Sequence, residues 1–155
     1  MASNELDFQA EIVSDAKAAG GAAFKASHAW QTGVVDLSVK VPGYPHLYAE
    51  CKWIKDRPKN YYTVKPTVKQ QQFMEDYHAA GGSVAVLVGY SNPKPMYWSC
   101  LIFHPLQHPD GYKVCNVELD GSDDHTNVFV KGRGGKWPIH QIMATISNLN
   151  CRSTS

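Results

Sequence analysis

Gly33-Val34-Val35-Asp36-Leu37-Ser38-Val39, a Pro42-Gly43-Tyr44-Pro45 segment and Leu47-Tyr48-Ala49-Glu50-Cys51-Lys52 decide how this chain is read. The two apolar runs, 34–40 and 46–52, have the character of strands, and the segment between them is a strong turn signal. Side chains alternate along a strand, so Glu50 and Lys52 share one face while Cys51 takes the other. If the runs pair as a hairpin, Asp36 lies beside Glu50. Two carboxylates and a lysine then converge at one edge of a sheet. Such a group can hold a divalent cation against a phosphate and activate a water beside it.

On the N-terminal side, residues 4–19 read as a helix. Asn4 is placed to cap it, Glu5 and Asp7 suit its positive end, and Gly20-Gly21 stop it. Residues 22–26 form a first strand, and 28–32 a polar connection. On the C-terminal side, 53–66 is a long charged loop with two prolines. A second helix starts at Thr67 and runs to about Ala80, with Phe73, Met74 and Tyr77 as its buried stripe. The continuous apolar run 83–89 suits a strand buried on both faces. This order implies an α/β fold, a three-layer α/β/α arrangement around a mixed central sheet. Further strands are expected at 96–103, 112–119 and 127–131, with a turn at 120–124 and a basic loop at 131–136. Pro138 suits the first turn of a last helix, on which Ile139, Ile142, Met143, Ile146 and Leu149 share a face. Residues 150–155 read as a frayed tail.

The 155 residues suit one domain, with a core at about 4–90 and an extension at about 91–150. At 43% hydrophobic residues the chain can bury a core, yet no stretch approaches the roughly 20 apolar residues of a membrane span. The polar, acidic start is not a secretion signal, so the expected compartment is the cytoplasm, without membrane attachment. Cysteines 51, 100, 115 and 151 lack Cys-x-x-Cys spacing, which argues against a zinc ribbon. Cys51 is expected as a buried small residue behind the Glu50 strand. The net charge of +1 argues against a protein coated in basic residues. The distribution is uneven, however. Lys52, Lys55, Arg57, Lys59, Lys65 and Lys69 face a single acid, Asp56, with Trp53, Tyr61 and Tyr62 interleaved. Beside the carboxylates, this stretch suits contact with a phosphate backbone and splayed bases.

Asp36, a spacer of 13 residues and Glu50-Cys51-Lys52 resemble the signature of the PD-(D/E)XK nuclease superfamily. Val35 stands where proline often precedes the aspartate. The ordered series around it is similar to the VRR-NUC and Holliday-junction-resolvase-like branches. It comprises Glu5 and Gln9 on a first helix, Gly33 to Leu37, Glu50 to Lys52, Thr67-Val68-Lys69-Gln70, then Gly81-Gly82 and an apolar strand. The resemblance covers roughly residues 4–90 and implies a restriction-endonuclease-like core.

It further implies that Asp36, Glu50, Glu5 and the backbone carbonyl of Cys51 hold magnesium or manganese. Hard oxygen donors select those ions over zinc. Glu11 competes with Glu5 for the helix position, and the distance to Gly20 favours Glu5 in the family pattern. Lys52 would stabilise transition-state charge and position water, and Gln70 would reach a water or phosphate. The implied activity is hydrolysis of a DNA phosphodiester to leave a 5′-phosphate, with branched or flapped DNA as substrate and a homodimer as the assembly. Lys55, Arg57, Lys59, Tyr61, Tyr62, Lys65 and Lys69 would contact the DNA. The compact size, without helicase or recognition domain, resembles phage and mobile-element proteins.

Two other functions fit the same residues. One is a binding module of this fold that holds DNA or a protein without cutting. The other is a restriction-type enzyme whose C-terminal strands read bases in a groove. His104 and His108 have a metal-pair spacing, but Pro105 and Pro109 oppose the helix it would need. Asp120, Asp123, Asp124 and His125 lack a calcium-loop pattern and read as a hairpin turn. Ser38, Ser83 and Ser91 lie in no nucleophile elbow. No phosphate-cradling Gly-x-x-x-x-Gly-Lys-Ser/Thr is present, so no nucleotide cofactor is expected.

Overall fold

Asn4 opens the first helix by accepting the Asp7 N–H on its Oδ1 at 2.9 Å. In the computed structural model, which describes residues 4–26, 34–55, 61–92, 96–115 and 127–153, this helix is α1, Glu5–Ala18. It buries Phe8, Gln9, Ile12 and Ala16. The chain leaves it through a tight turn. A Cβ on Gly21 would sit 2.6 Å from the Lys40 carbonyl oxygen and 2.9 Å from that of Ala16, so only glycine fits. Strand β1, Ala22–Lys25, follows and pairs antiparallel with β2, Leu37–Lys40.

The expected hairpin is present. β2 pairs antiparallel with β3, Leu47–Ile54, in the register Leu37↔Ala49, Ser38↔Tyr48 and Val39↔Leu47. β3 runs two residues beyond Lys52 because its other edge is fully occupied. All eight of its residues pair in parallel with β5, Ser83–Ser91, from Leu47↔Ser83 to Ile54↔Tyr90. Every β5 residue but the last is buried, as its unbroken apolar run predicts.

Part of the expected 53–66 loop is a strand. β4, Tyr61–Val64, pairs antiparallel with β7, Tyr112–Cys115, as a separate two-stranded ribbon. Helix α2, Val68–Ala79, starts from a capping box in which Thr67 and Gln70 each accept the other's backbone N–H. β6, Tyr97–Phe103, and β8, Val128–Gly132, extend the main sheet, whose order among the described residues is β1-β2-β3-β5-β6-β8. The strand expected at 112–119 is seen as far as Cys115, and 116–119 lie outside the described residues.

One face of the sheet packs α1 and the last helix, α3, Ile139–Ser153. That layer joins Phe8, Leu37, Cys51, Leu87, Ile102 and Trp137, with the expected apolar stripe of α3. The other face carries α2 and the β4–β7 ribbon, through Val64, Met74, Val86, Val88, Phe103 and Val114. The result is the three-layer α/β/α arrangement with a mixed sheet that the sequence implies. Among the described residues no helix is long and apolar enough to cross a membrane.

The segment read as a frayed tail from residue 150 is helical to Ser153, and Asn150 is buried. Its amide acts as a short strand. Oδ1 accepts from Val84 N at 3.0 Å, and Nδ2 donates to Val84 O at 3.0 Å and to Ile146 O at 2.8 Å. His104 lies 3.1 Å from the same Oδ1 through Nε2, while its Nδ1 accepts from Leu106 N. Burial lowers the His104 imidazole to about 4, so it stays neutral. Asn150→Ala orphans several buried polar groups at once and is expected to cost about 3 kcal/mol, measured by urea unfolding.

Candidate active site

Asp36 precedes β2 by one residue and continues its register, which sets it opposite Glu50. Two contacts fix it. Its carbonyl accepts from Ala26 N at 2.8 Å, and Oδ2 accepts from Cys51 N at 2.9 Å. Glu50 is flanked on the other side by Val86. It is only 1% exposed, and Lys52 Nζ lies 3.5 Å from its Oε2, with the lysine 32% exposed. The carboxylate pair and the lysine therefore meet on the α2 face of the sheet.

This arrangement is electrostatically uncomfortable. Glu50 Oε1 is buried with no hydrogen-bond partner, the one such side-chain atom among the described residues. Burial, then the hydrogen bond and negative charge of Asp36, push the Glu50 carboxyl up to about 9, and Lys52 offsets this only in part. Glu5 feels the same centre. Burial raises it, Lys52 lowers it and Asp36 raises it. Glu11 is engaged elsewhere, accepting from Trp137 Nε1 at 3.1 Å and pairing with Lys131 at 2.6 Å. Gln9 is buried in the α1 layer.

Cys51 is fully buried on the opposite face, and burial pushes its thiol well up. Gln70 Oε1 is taken by the capping box, accepting the Thr67 N–H at 2.9 Å. Tyr61 and Tyr62 are exposed on β4, and Lys55, Lys65 and Lys69 are exposed around it. Arg57 and Lys59 lie outside the described residues.

The donor set fits a hard cation in part. Among the described residues no three His, Cys, Asp or Glu side chains gather closely enough to enclose one. The Asp36–Glu50 pair nevertheless presents carboxylate oxygens, one of them an orphaned buried atom, and Glu5 stands within electrostatic reach. A divalent cation at that pair would supply the missing partner.

One polar chain escaped sequence reasoning. Ser38 Oγ lies 2.6 Å from His46 Nε2, and His46 Nδ1 lies 2.6 Å from Tyr77 Oη. It sits on the Glu50 face, two residue pairs along, and ties the hairpin to α2. The only signal for it was the even spacing of Ser38 from Asp36. The His104–His108 spacing holds no metal pair: His104 is engaged with Asn150 and Leu106, and the His108 ring packs edge-on against Phe103 and Tyr112.

No protein-family model matches the chain, and no curated protein matches it. Among solved structures, it is similar to Hjc of Archaeoglobus fulgidus, described as a Holliday junction resolvase from an archaeal hyperthermophile. The match covers 73% of this chain and 88% of that one, with 16% identity and a TM-score of 0.50. At that identity the likeness shows a shared fold, the restriction-endonuclease-like arrangement of helices on a mixed sheet.

The raised Glu50 carboxyl fixes a sign for pH dependence in the metal-free protein. The folded state keeps the proton to about pH 9, whereas the unfolded chain releases it near the ordinary value of 4.5. Stability from this group is thus full below 4.5 and is lost as the pH rises towards 9. Glu50→Gln is expected to stabilise the metal-free protein at pH 7 by about 2 kcal/mol, or roughly 4–8 °C in Tm. The gain should shrink to nothing at pH 4.5, read by calorimetry in EDTA.

Proposed function

We propose that this protein is a divalent-cation-dependent nuclease that hydrolyses DNA phosphodiester bonds, with branched DNA as its preferred substrate. The observation that carries this reading is the buried, partnerless Glu50 oxygen beside Asp36 and Lys52. A protein gains nothing in stability from such an acid, and strongly perturbed carboxyls cluster where chemistry is done. The chain's likeness in fold to Hjc, a Holliday junction resolvase, supports branched DNA by analogy of fold.

In this reading Asp36 and Glu50 hold magnesium or manganese, with Glu5 and the Cys51 carbonyl completing the set. The cation, when bound, supplies Lewis-acid polarisation of the phosphate and lowers the pKa of a water. Asp36 is aligned for its part by the Cys51 N–H. The Lys52 ammonium, 3.5 Å from Glu50 Oε2, stabilises charge that develops on the phosphate. Gln70 turns its amide NH₂ to a water or a phosphate oxygen. Lys55, Arg57, Lys59, Lys65 and Lys69 hold the DNA backbone, and a homodimer would present two sites to two strands.

The test is cleavage of labelled four-way junction, flap, single-stranded and duplex DNA, with magnesium and with EDTA. Cutting should require the metal. Asp36→Ala should slow it on the order of 1,000-fold while DNA binding persists. Cutting unchanged in both Asp36→Ala and Glu50→Ala sinks the proposal. Binding without cutting on any of the four substrates would instead make the protein a non-catalytic module.

A second readout does not depend on turnover. Magnesium should raise the Tm of the wild type at pH 7, because a ligand that binds only the folded state stabilises it. Glu50→Gln should remove that rise. A rise of equal size in the variant would place any bound magnesium away from Glu50.

A further inference from the structure

We propose that the β4–β7 ribbon is a stacking platform for an unpaired base of single-stranded DNA, held beside the Asp36–Glu50 site. This takes DNA as the ligand from the preceding reading and names the part of it that the ribbon recognises.

The ribbon is firmly rooted at one end. Val64 and Val114 are buried, and Tyr112 stacks on Phe103 with ring centroids 4.9 Å apart and planes at 15°. Gly111, at φ +95°, lets the chain pass within contact distance of Thr63 and Lys65. Tyr61 pairs with Cys115 and Tyr62 with that same Val114, yet the two tyrosines are 57% and 47% exposed. Tyr48, Tyr77 and Tyr112 are half-buried and pack their rings against other aromatic residues. Tyr61 and Tyr62 are thus large aromatic groups displayed next to each other on a strand whose backbone is fixed, and exposed Phe24 on β1 has no such neighbour beside it.

The charge around them is complementary to a nucleic-acid backbone. Lys113 Nζ lies 5.1 Å from the centroid of the Tyr61 ring. Lys55, Lys65 and Lys69 are exposed along the segments that flank β4. Rings and cations together are what a single strand asks for, since the bases stack on the rings and the phosphates meet the cations. A paired base hides its π-face in the duplex stack, so the platform selects an unpaired one.

The ribbon also stands in the right place. Its buried side rests in the same cluster as Val86 and Val88, which are the cross-strand partners of Glu50 and Lys52. The ribbon therefore packs on the same face of the sheet that carries Glu50 and Lys52.

The experiment is fluorescence anisotropy in EDTA, with the full chain and three ligands: a single-stranded oligonucleotide, the same backbone with abasic sites, and a duplex. The wild type should bind the single strand more tightly than either of the others. Tyr61→Ala and Tyr62→Ala should each weaken single-strand binding by roughly 5- to 100-fold and leave duplex binding unchanged. Tyr61→Phe and Tyr62→Phe should restore it, and thermal melting should show all four variants folded. Abasic and intact strands binding alike, or alanine variants binding like the wild type, would overturn the platform. So would a change of oligomeric state in the alanine variants, which would make the ribbon a protein interface. Cleavage with magnesium, run in parallel, separates the two readings: stacking without cutting overturns only the nuclease, and cutting with no effect of the tyrosines overturns only the platform.

Discussion

The parallel pairing of β3 with β5 is the constraint on which the rest depends. Eight consecutive residues of β3 are matched, so the strand is locked between β2 and β5 in the interior of the sheet. An interior strand has helices or a ribbon over both faces, and every side chain on it is held in place by neighbours. Leu47, Ala49 and Cys51 answer to the α1–α3 layer. Glu50 occupies a position where the pattern asks for an apolar residue, beside Val86. Its burial is thus imposed by topology, and its raised pKa follows from that burial together with Asp36.

Such a residue is retained at a cost in stability. The surrounding structure tolerates it because the two cores on either side are extensive and because the Asp36 carboxylate accepts the Cys51 N–H. The site is preorganised by the backbone: the Asp36 side chain grips the strand that carries Glu50, so the pair cannot drift apart without breaking the hairpin. The Ser38–His46–Tyr77 chain extends this rigidity to α2. Rigid positioning of groups that would rather be solvated is how a fold stores the capacity to bind a charged ligand.

The legible parts of this architecture were local. The hairpin around Pro42-Gly43 could be read because a period-two pattern and a turn signal sit within one short stretch. The α2 start could be read from Thr67, because the capping box it forms with Gln70 lies within one turn of sequence. β4 was read as loop because its partner, β7, lies far along the chain and only one of its four residues is buried. Asn150 looked like part of a polar tail because nothing near it in sequence shows that Val84 needs a hydrogen-bonding partner. For β4 and Asn150 the missing information was a tertiary hydrogen-bonding partner, which no local pattern encodes.

The same distinction resolves the apparent conflict between a net charge of +1 and a DNA ligand. Net charge sums acids that act on each other with acids that act on a partner. Two acids here are spent inside the fold: Glu11 on Lys131 and Trp137, and Asp15 on the Trp137 N–H. The glutamate and the histidine with the largest shifts, Glu50 and His104, are both held neutral near pH 7. Meanwhile Lys55, Lys65, Lys69 and Lys113 stand exposed on and beside one ribbon. Screening in salt limits the reach of any surface charge to about 8–10 Å, so a partner docking there meets the ribbon's local positive field rather than the chain's average.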